Sequence, residues 1–262
     1  MKRTMVLAVC LLFFVSATVW ADTVISTTGQ WNAPKAANNN TGGPNAFWDH
    51  SSSDGGHCNV GFVLGGTMGT CQNINTLGTF PNKPLAYLSS SGNSNAGVNF
   101  SVKPGGGDKT VFQASIAGFS GDNNAFYDVF GWALMGSNSL NPLFSSQLDG
   151  PNQTKTFAPG GQFRYYIAVY NIVGQLQWIH FSDTDGNYFA LFSQDPVSPS
   201  GPPSFLSNYW VGSEDTHVTN GDFDFQDMLV QITPIPEPAS LLLFGSGLVG
   251  MAGALRRRIA RR

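Results

Sequence analysis

The chain has 262 residues and a formal net charge of -3, and only 11% of its residues are charged. All 16 acidic residues lie between positions 22 and 238, whereas most basic residues lie at the two ends. An acidic body without a basic stripe excludes nucleic acid as the partner, because no lysines or arginines stand ready to displace counterions from phosphates. The 31 glycines and 20 phenylalanines favour short strands joined by turns, and the length suits one all-β domain.

The N-terminus predicts a secretory signal peptide over residues 1–21. Lys2 and Arg3 form a positive start, an apolar run follows over 5–15, and Ala21 offers a small residue for cleavage before Asp22. The chain therefore divides into a signal peptide, an extracytoplasmic body over 22–233 and a tail over 234–262. We expect signal peptidase to act as one processing partner.

Two cysteines remain after the signal peptide, Cys58 and Cys71. An even cysteine count in an exported protein predicts one disulfide. His57 precedes Cys58, but this pair alone lacks the ligand spacing of a zinc site and the sequence surroundings of a thiol protease.

The body shows strand patterns separated by turn-forming clusters of Asn, Ser and Gly. The clearest is a hairpin over 163–181, in which apolar and polar residues alternate on both sides of Val173 and Gly174. Further strands are predicted at 61–64, 85–88, 110–118, 127–135, 188–192, 205–212 and 227–233. Together they predict an all-β fold, an antiparallel β-sandwich of the jelly-roll kind.

The stretch before the tail is acidic and contains no lysine or arginine. If Asp222 to Phe225 is extended, its two carboxylates share one face and its two rings share the other. Crowded carboxylates repel each other unless a cation lies between them, and calcium prefers such oxygen ligands. The predicted calcium ligands are Glu214, Asp215, Asp222, Asp224 and Asp227. A solvated acidic turn beside an edge strand is the alternative.

This acidic stretch also resembles the end of a bacterial exported domain family of unknown function. The shared pattern is Glu-Asp, a Gly-containing turn at Asn220 and Gly221, then Asp-x-Asp-aromatic, an Asn or Asp, a further Asp and an apolar strand. The resemblance implies a calcium-binding β-sandwich of a surface protein. Gln226 departs from the usual Asn or Asp and removes one carboxylate. A second acidic turn, 182–187, is predicted to be a hairpin turn, with a metal loop as its alternative.

The sequence shows no nucleophile elbow and no zinc-protease motif, so we expect a protein that is not an enzyme. The alternative to a structural surface protein is a carbohydrate-binding module whose exposed rings stack on sugars. The candidate rings are Trp31, Phe47, Trp48, Trp132, Trp178, Tyr188 and Trp210. A role in the core is the competing interpretation of these rings.

The tail combines three features in order. Pro236, Glu237 and Pro238 precede an uncharged segment, 239–255, of the length of a membrane helix. A basic cluster, which the positive-inside rule retains in the cytoplasm, follows: Arg256, Arg257, Arg258, Arg261 and Arg262.

This order resembles the PEP-CTERM protein-sorting tail. The resemblance implies a Gram-negative bacterium that makes exopolysaccharide, and an exosortase that cuts near Glu237. The body would be held at the inner membrane by the tail and then delivered to the cell surface or extracellular matrix. The expected function is a structural or adhesive one in exopolysaccharide or biofilm, with calcium as the expected cofactor.

We expect Glu237→Ala, or deletion of the five arginines, to leave the protein in the inner membrane. The first change removes the acidic residue of the sorting motif, and the second removes the charges that fix the tail in the cytoplasm. Membrane fractionation with immunodetection measures the distribution. Surface delivery equal to that of the unchanged protein would contradict the sorting interpretation.

Overall fold

The computed structural model describes residues 22–34, 47–48, 53–54, 57–64, 85–90, 97–105, 110–119, 125–150, 152–194, 208–215, 225, 227–235, 247–248 and 250–251. The first strands are β1 (Thr23–Ile25), β2 (Gln30–Asn32), β3 (Ser53–Asp54), β4 (His57–Cys58), β5 (Ala86–Ser89) and β6 (Ser101–Lys103). Then follow β7 (Val111–Phe119), β8 (Phe126–Leu134), β9 (Asn141–Ser145), β10 (Thr154–Phe157) and β11 (Phe163–Asn171). The last are β12 (Leu176–Phe181), β13 (Phe189–Ser193), β14 (Tyr209–Ser213) and β15 (Met228–Ile235). A short helix, α1 (Val60–Leu64), lies between β4 and β5.

Within the described residues, the strands form two large antiparallel sheets and the small ribbon β3–β4. The first sheet has the order β1-β6-β11-β8-β9, and β12 pairs with the same edge of β11 as β6. The second sheet has the order β10-β7-β15-β14-β13-β5-β2. This arrangement confirms the prediction of an all-β fold built from antiparallel strands.

The alternation in β11 determines which side chains of the first sheet face the second. Phe163, Tyr165 and Ile167 are fully buried in the core between the sheets, as period-two geometry requires. The predicted hairpin to β12 is confirmed. Gly174 turns the chain with a φ of 80°, and the Asn171 carboxamide oxygen accepts hydrogen bonds from two backbone N–H groups of the turn.

The core between the sheets is rich in aromatic rings. The ring of Phe163 in the first sheet lies 5.3 Å from that of Phe112 in the second, edge to face. Nearby, the hydroxyl groups of Tyr165 and Tyr209 form a 2.7 Å hydrogen bond across the same core. Burial raises the pKa of both phenols well above 10, so both stay neutral at ordinary pH.

Asp22 lies at one end of this core and its carboxylate is buried. Its Oδ1 accepts a hydrogen bond of 2.8 Å from the backbone N–H of Gly105. Burial raises the pKa of Asp22 to about 6, an effect that this hydrogen bond only partly offsets. The carboxyl group therefore gains its proton in mildly acidic solution.

A second core covers the outer face of the second sheet. Helix α1 packs there, and the rings of Phe47, Trp48 and Phe225 join it over β5, β13 and β14. The strand predicted at 61–64 is wrong, since these residues belong to α1. The Asn59 side chain accepts the N–H of Phe62 and caps the helix, an effect that overrides the strand preference of an apolar run.

The other predicted strands are confirmed with shifts of a few residues, and one changes its neighbours. The strand predicted at 188–192 follows β12 in the chain but does not pair with it. Instead, a 3-10 turn at Gly186–Tyr188 carries the chain across, and β13 pairs with β5 and β14 in the second sheet. β15 continues to Ile235, two residues past the boundary at 233 that the sequence suggested.

The chain ends are only sparsely described. The predicted signal peptide, 1–21, lies outside the described residues. Gly247, Leu248, Gly250 and Met251 are described within the predicted membrane segment 239–255, and all four are helical. Over the parts of the chain that the structure describes, no helix has the length and apolar character needed to cross a bilayer.

The Tyr165–Tyr209 hydrogen bond gives a test of the core between the sheets. We expect Tyr209→Phe to lower the free energy of unfolding by about 1–2 kcal/mol, because the Tyr165 hydroxyl group loses its partner in a buried site. Replacing both by Phe should cost less than the sum of the two single changes. Denaturant unfolding measures all three variants, and Tyr127→Phe on the outer face is the control. If the double change cost as much as the sum of the two single changes, the result would contradict a direct interaction between the two hydroxyl groups.

Candidate metal centre

Three of the predicted calcium ligands meet where β14 and β15 adjoin. Ser213, the last residue of β14, pairs with Met228, the first residue of β15. Glu214 and Asp215 therefore leave one strand beside the point where Asp227 enters the other. The antiparallel register thus brings together carboxylates that are more than ten positions apart in the chain.

The three carboxylates are close enough to share one ion. One oxygen atom from each of Glu214, Asp215 and Asp227 lies within 4.8 Å of the other two. Glu214 is only 1% exposed, and the other two are half-buried. The cluster thus combines an inner carboxylate with two that solvent can reach.

Backbone contacts hold the cluster in place. Asp227 Oδ2 accepts the N–H of Asp215 at 2.7 Å, and Glu214 donates its own N–H to the carbonyl of Tyr188 at 3.0 Å. The indole N–H of Trp178 donates to the carbonyl of Asp215, which ties β12 to the same loop. These bonds hold the backbone at Glu214 and Asp215 and also the carboxylate of Asp227.

The electrostatics of this arrangement favour a cation. Carboxylates this close repel one another when ionised, and burial of Glu214 increases the cost. A hard divalent cation that binds oxygen ligands would offset both the repulsion between the carboxylates and the cost of burying the charge of Glu214. Calcium in proteins takes roughly six to eight oxygen ligands, and these three carboxylates would supply part of that set.

Asp222 and Asp224, the other predicted ligands, lie outside the described residues. The extended backbone that we assumed for Asp222 to Phe225 is wrong at Phe225, whose φ is 56°. Its ring is buried against Phe47 in the second core, with centroids 5.3 Å apart. Burial of this large ring outweighs the cost of a left-handed backbone, which strict alternation of sequence letters does not reveal.

The second acidic turn, 182–187, has structural contacts. Asp183 forms an ion pair of 3.2 Å with Arg164, and Asp185 Oδ2 accepts the N–H of Phe181. The Thr184 hydroxyl group donates to the same oxygen atom. These bonds close the turn after β12. The predicted hairpin turn is wrong, because the next strand, β13, pairs in the second sheet and not with β12.

Most of the rings proposed for sugar stacking belong to the two cores. Phe47, Trp48, Tyr188 and Trp210 are buried, while Trp31 and Trp132 are partly buried and pack against the core between the sheets. A different pair of rings was not predicted from the sequence. Tyr127 and Tyr170 are direct cross-strand partners on the outer face of the first sheet, half-exposed and stacked at 5.4 Å. The alternation in β11 was the signal that could have found Tyr170.

The remaining predicted sites are not described. Cys58 lies in β4, but Cys71 falls outside the described residues, so the disulfide stays a prediction. The sorting triplet Pro236, Glu237 and Pro238 and the basic cluster also fall outside them.

Comparison with known protein families gives one finding. The PEP-CTERM protein-sorting motif matches residues 234–258, which supports the resemblance seen in the tail. The match covers the tail and leaves the body unassigned. No curated protein and no solved structure shows a significant match to this chain.

Proposed function

We propose that this chain is an exported surface protein, sorted by an exosortase, with a structural or adhesive role in the exopolysaccharide matrix. The sorting motif at 234–258 supports export and exosortase processing. We assign no catalytic residue. The two sheets support a β-sandwich of the jelly-roll kind, because strands that are neighbours in space, such as β1 and β6 or β13 and β5, are distant in sequence.

Calcium is the proposed stabiliser of the body. The observation that carries this proposal is the convergence of Glu214, Asp215 and Asp227 within 4.8 Å. Asp222 and Asp224 belong to the connection between β14 and β15, so the same loop offers further carboxylates. An ion bound there would join the ends of two central strands of the second sheet.

Calcium should raise the melting temperature of the processed protein. At a calcium concentration about 100 times Kd, binding to the folded state alone stabilises it by about 2.7 kcal/mol. For a domain of this size, that corresponds to a shift of roughly 5–10 °C. Asp227→Asn should lose most of this shift. Asp149→Asn, which breaks the Lys155–Asp149 ion pair elsewhere, should keep it.

Calorimetric scans in calcium and in chelator provide the measurement, and titration calorimetry gives the stoichiometry. Equal melting temperatures in the two conditions, together with no heat of calcium binding, would show that the cluster is only a solvated acidic turn.

A carbohydrate-binding role is the second candidate, and the Tyr127–Tyr170 pair favours it. The two stacked rings give this sheet face half-exposed aromatic area, which sugar C–H groups can contact. Arg164 lies over the ring of Phe181 at 3.8 Å on the same face, beside Tyr166. The face thus combines aromatic area with polar groups.

We expect Tyr127→Ala and Tyr170→Ala each to weaken retention on the organism's exopolysaccharide at least about fivefold. Stacking of a nucleobase on an aromatic side chain, a contact of comparable area, contributes about 1–3 kcal/mol. Leu148→Ala, in the exposed turn after β9, is the matched control. Affinity electrophoresis in gels that contain the polysaccharide measures retention. Unchanged retention of both tyrosine variants would eliminate this face as the binding site.

A further inference from the structure

The first and the last described residues of the body, Asp22 and Ile235, lie on the same side of the molecule. In the first sheet, Thr23 of β1 pairs with Lys103 of β6, and Val102 pairs with Phe163 at the start of β11. Asp22 lies one step further out and accepts the N–H of Gly105. The chain therefore enters the body beside the start of β11.

The chain also leaves the body near the start of β11. Ile235, the last residue of β15, pairs with Val111, and Pro234 pairs with Phe112. The rings of Phe112 and Phe163 are in contact across the core, so the end of β15 and the start of β11 lie at one level. We call this end the terminal pole and define it by Asp22, Lys103, Leu134, Met135 and Ile235.

The candidate metal centre lies at the opposite end. β15 has eight residues, and at about 3.4 Å per residue it places Met228 about 24 Å from Ile235. Asp227 precedes Met228, and the tip of the β11–β12 hairpin, with Val173, is also at this far end because Asn171 pairs with Phe126. The body thus has a terminal pole and an acidic pole.

The chain leaves little distance between the terminal pole and the membrane segment. Only residues 236–238 separate Ile235 from the uncharged stretch 239–255. Fully extended, this connection spans at most about 14 Å. The headgroup layer alone takes roughly 5–8 Å on each side of the hydrocarbon core. While the tail spans the bilayer, the terminal pole therefore lies at the headgroups.

The side chains of this pole suit such contact. Leu134 is 36% exposed and Met135 is 40% exposed, so both offer apolar surface at the end of β8. Lys103 is exposed at the same pole on the other side of β11, and a lysine can keep its ammonium group at lipid phosphates while its stem contacts apolar surface. Apolar side chains flanked by a lysine are typical of membrane-interface contacts.

The geometry points to a membrane-docking surface: the terminal pole rests on the headgroup layer of the inner membrane while the tail anchors the chain, and the acidic pole points away from the bilayer. The partner is the lipid surface itself. This inference rests on the proposed export and sorting, since it needs the tail to be in the membrane.

A photocrosslinking experiment on the full chain tests this orientation. The photoreactive residue p-benzoylphenylalanine replaces Met135 at the terminal pole or, as the matched control, Val173, which is 72% exposed at the acidic pole. The protein is produced without exosortase, so that the tail is retained, and is reconstituted into vesicles of phosphatidylcholine and phosphatidylglycerol. Mass spectrometry then quantifies lipid adducts. Position 134 serves as a second probe of the same pole.

We expect several times more lipid adduct from position 135 than from position 173. Equal yields, or a higher yield from 173, in a protein that resists alkaline extraction would overturn the orientation and leave the sorting proposal intact. Release of the protein by alkaline extraction would show that the tail is no anchor, which overturns both proposals. Circular dichroism confirms that each labelled chain keeps its strands.

Discussion

The fold depends on the close approach of the two sheets around Phe163. The Phe163 ring contacts Phe112 and Phe157 of the second sheet and Trp132 and Tyr165 of its own. Each such aromatic pair contributes about 0.5–1.5 kcal/mol beyond its buried area. Because the strand ends that carry both termini meet beside this ring, the same packing that stabilises the core also determines where the chain enters and leaves the body.

Sequence patterns located β5, β7, β8 and β11 to β15, but they missed β1 to β4, β6, β9 and β10 and did not reveal which strands are neighbours. Period-two alternation located β11 and β12, since one buried face leaves a direct trace in the sequence. It did not reveal that β13 belongs to the second sheet, because the residues of a three-residue turn do not indicate to which sheet the next strand pairs. Helix α1 was missed for another reason: both of its sides are buried, so its apolar run resembles a core strand until the Asn59 cap is seen.

The same limits apply to the candidate sites. The acidic composition pointed to Glu214, Asp215 and Asp227, but only the pairing of β14 with β15 shows that they converge. Three aromatic candidates, Phe47, Trp48 and Trp210, are buried because the outer face of the second sheet carries its own covering layer. A single sequence gives no sign of that second core, so Trp48 and Trp210 looked available for a ligand although both are buried. The exposed face of the first sheet is where stacked tyrosines remain.

The position of β15 has a consequence for maturation. This strand is central to the second sheet, with β7 on one side and β14 on the other, and its last paired residue, Ile235, comes directly before the sorting triplet. A cut on the C-terminal side of that residue would leave every described pair between β15 and its two neighbours intact. If an exosortase cuts there, as we propose, the tethered and the processed forms would keep the same strand pairing in the second sheet.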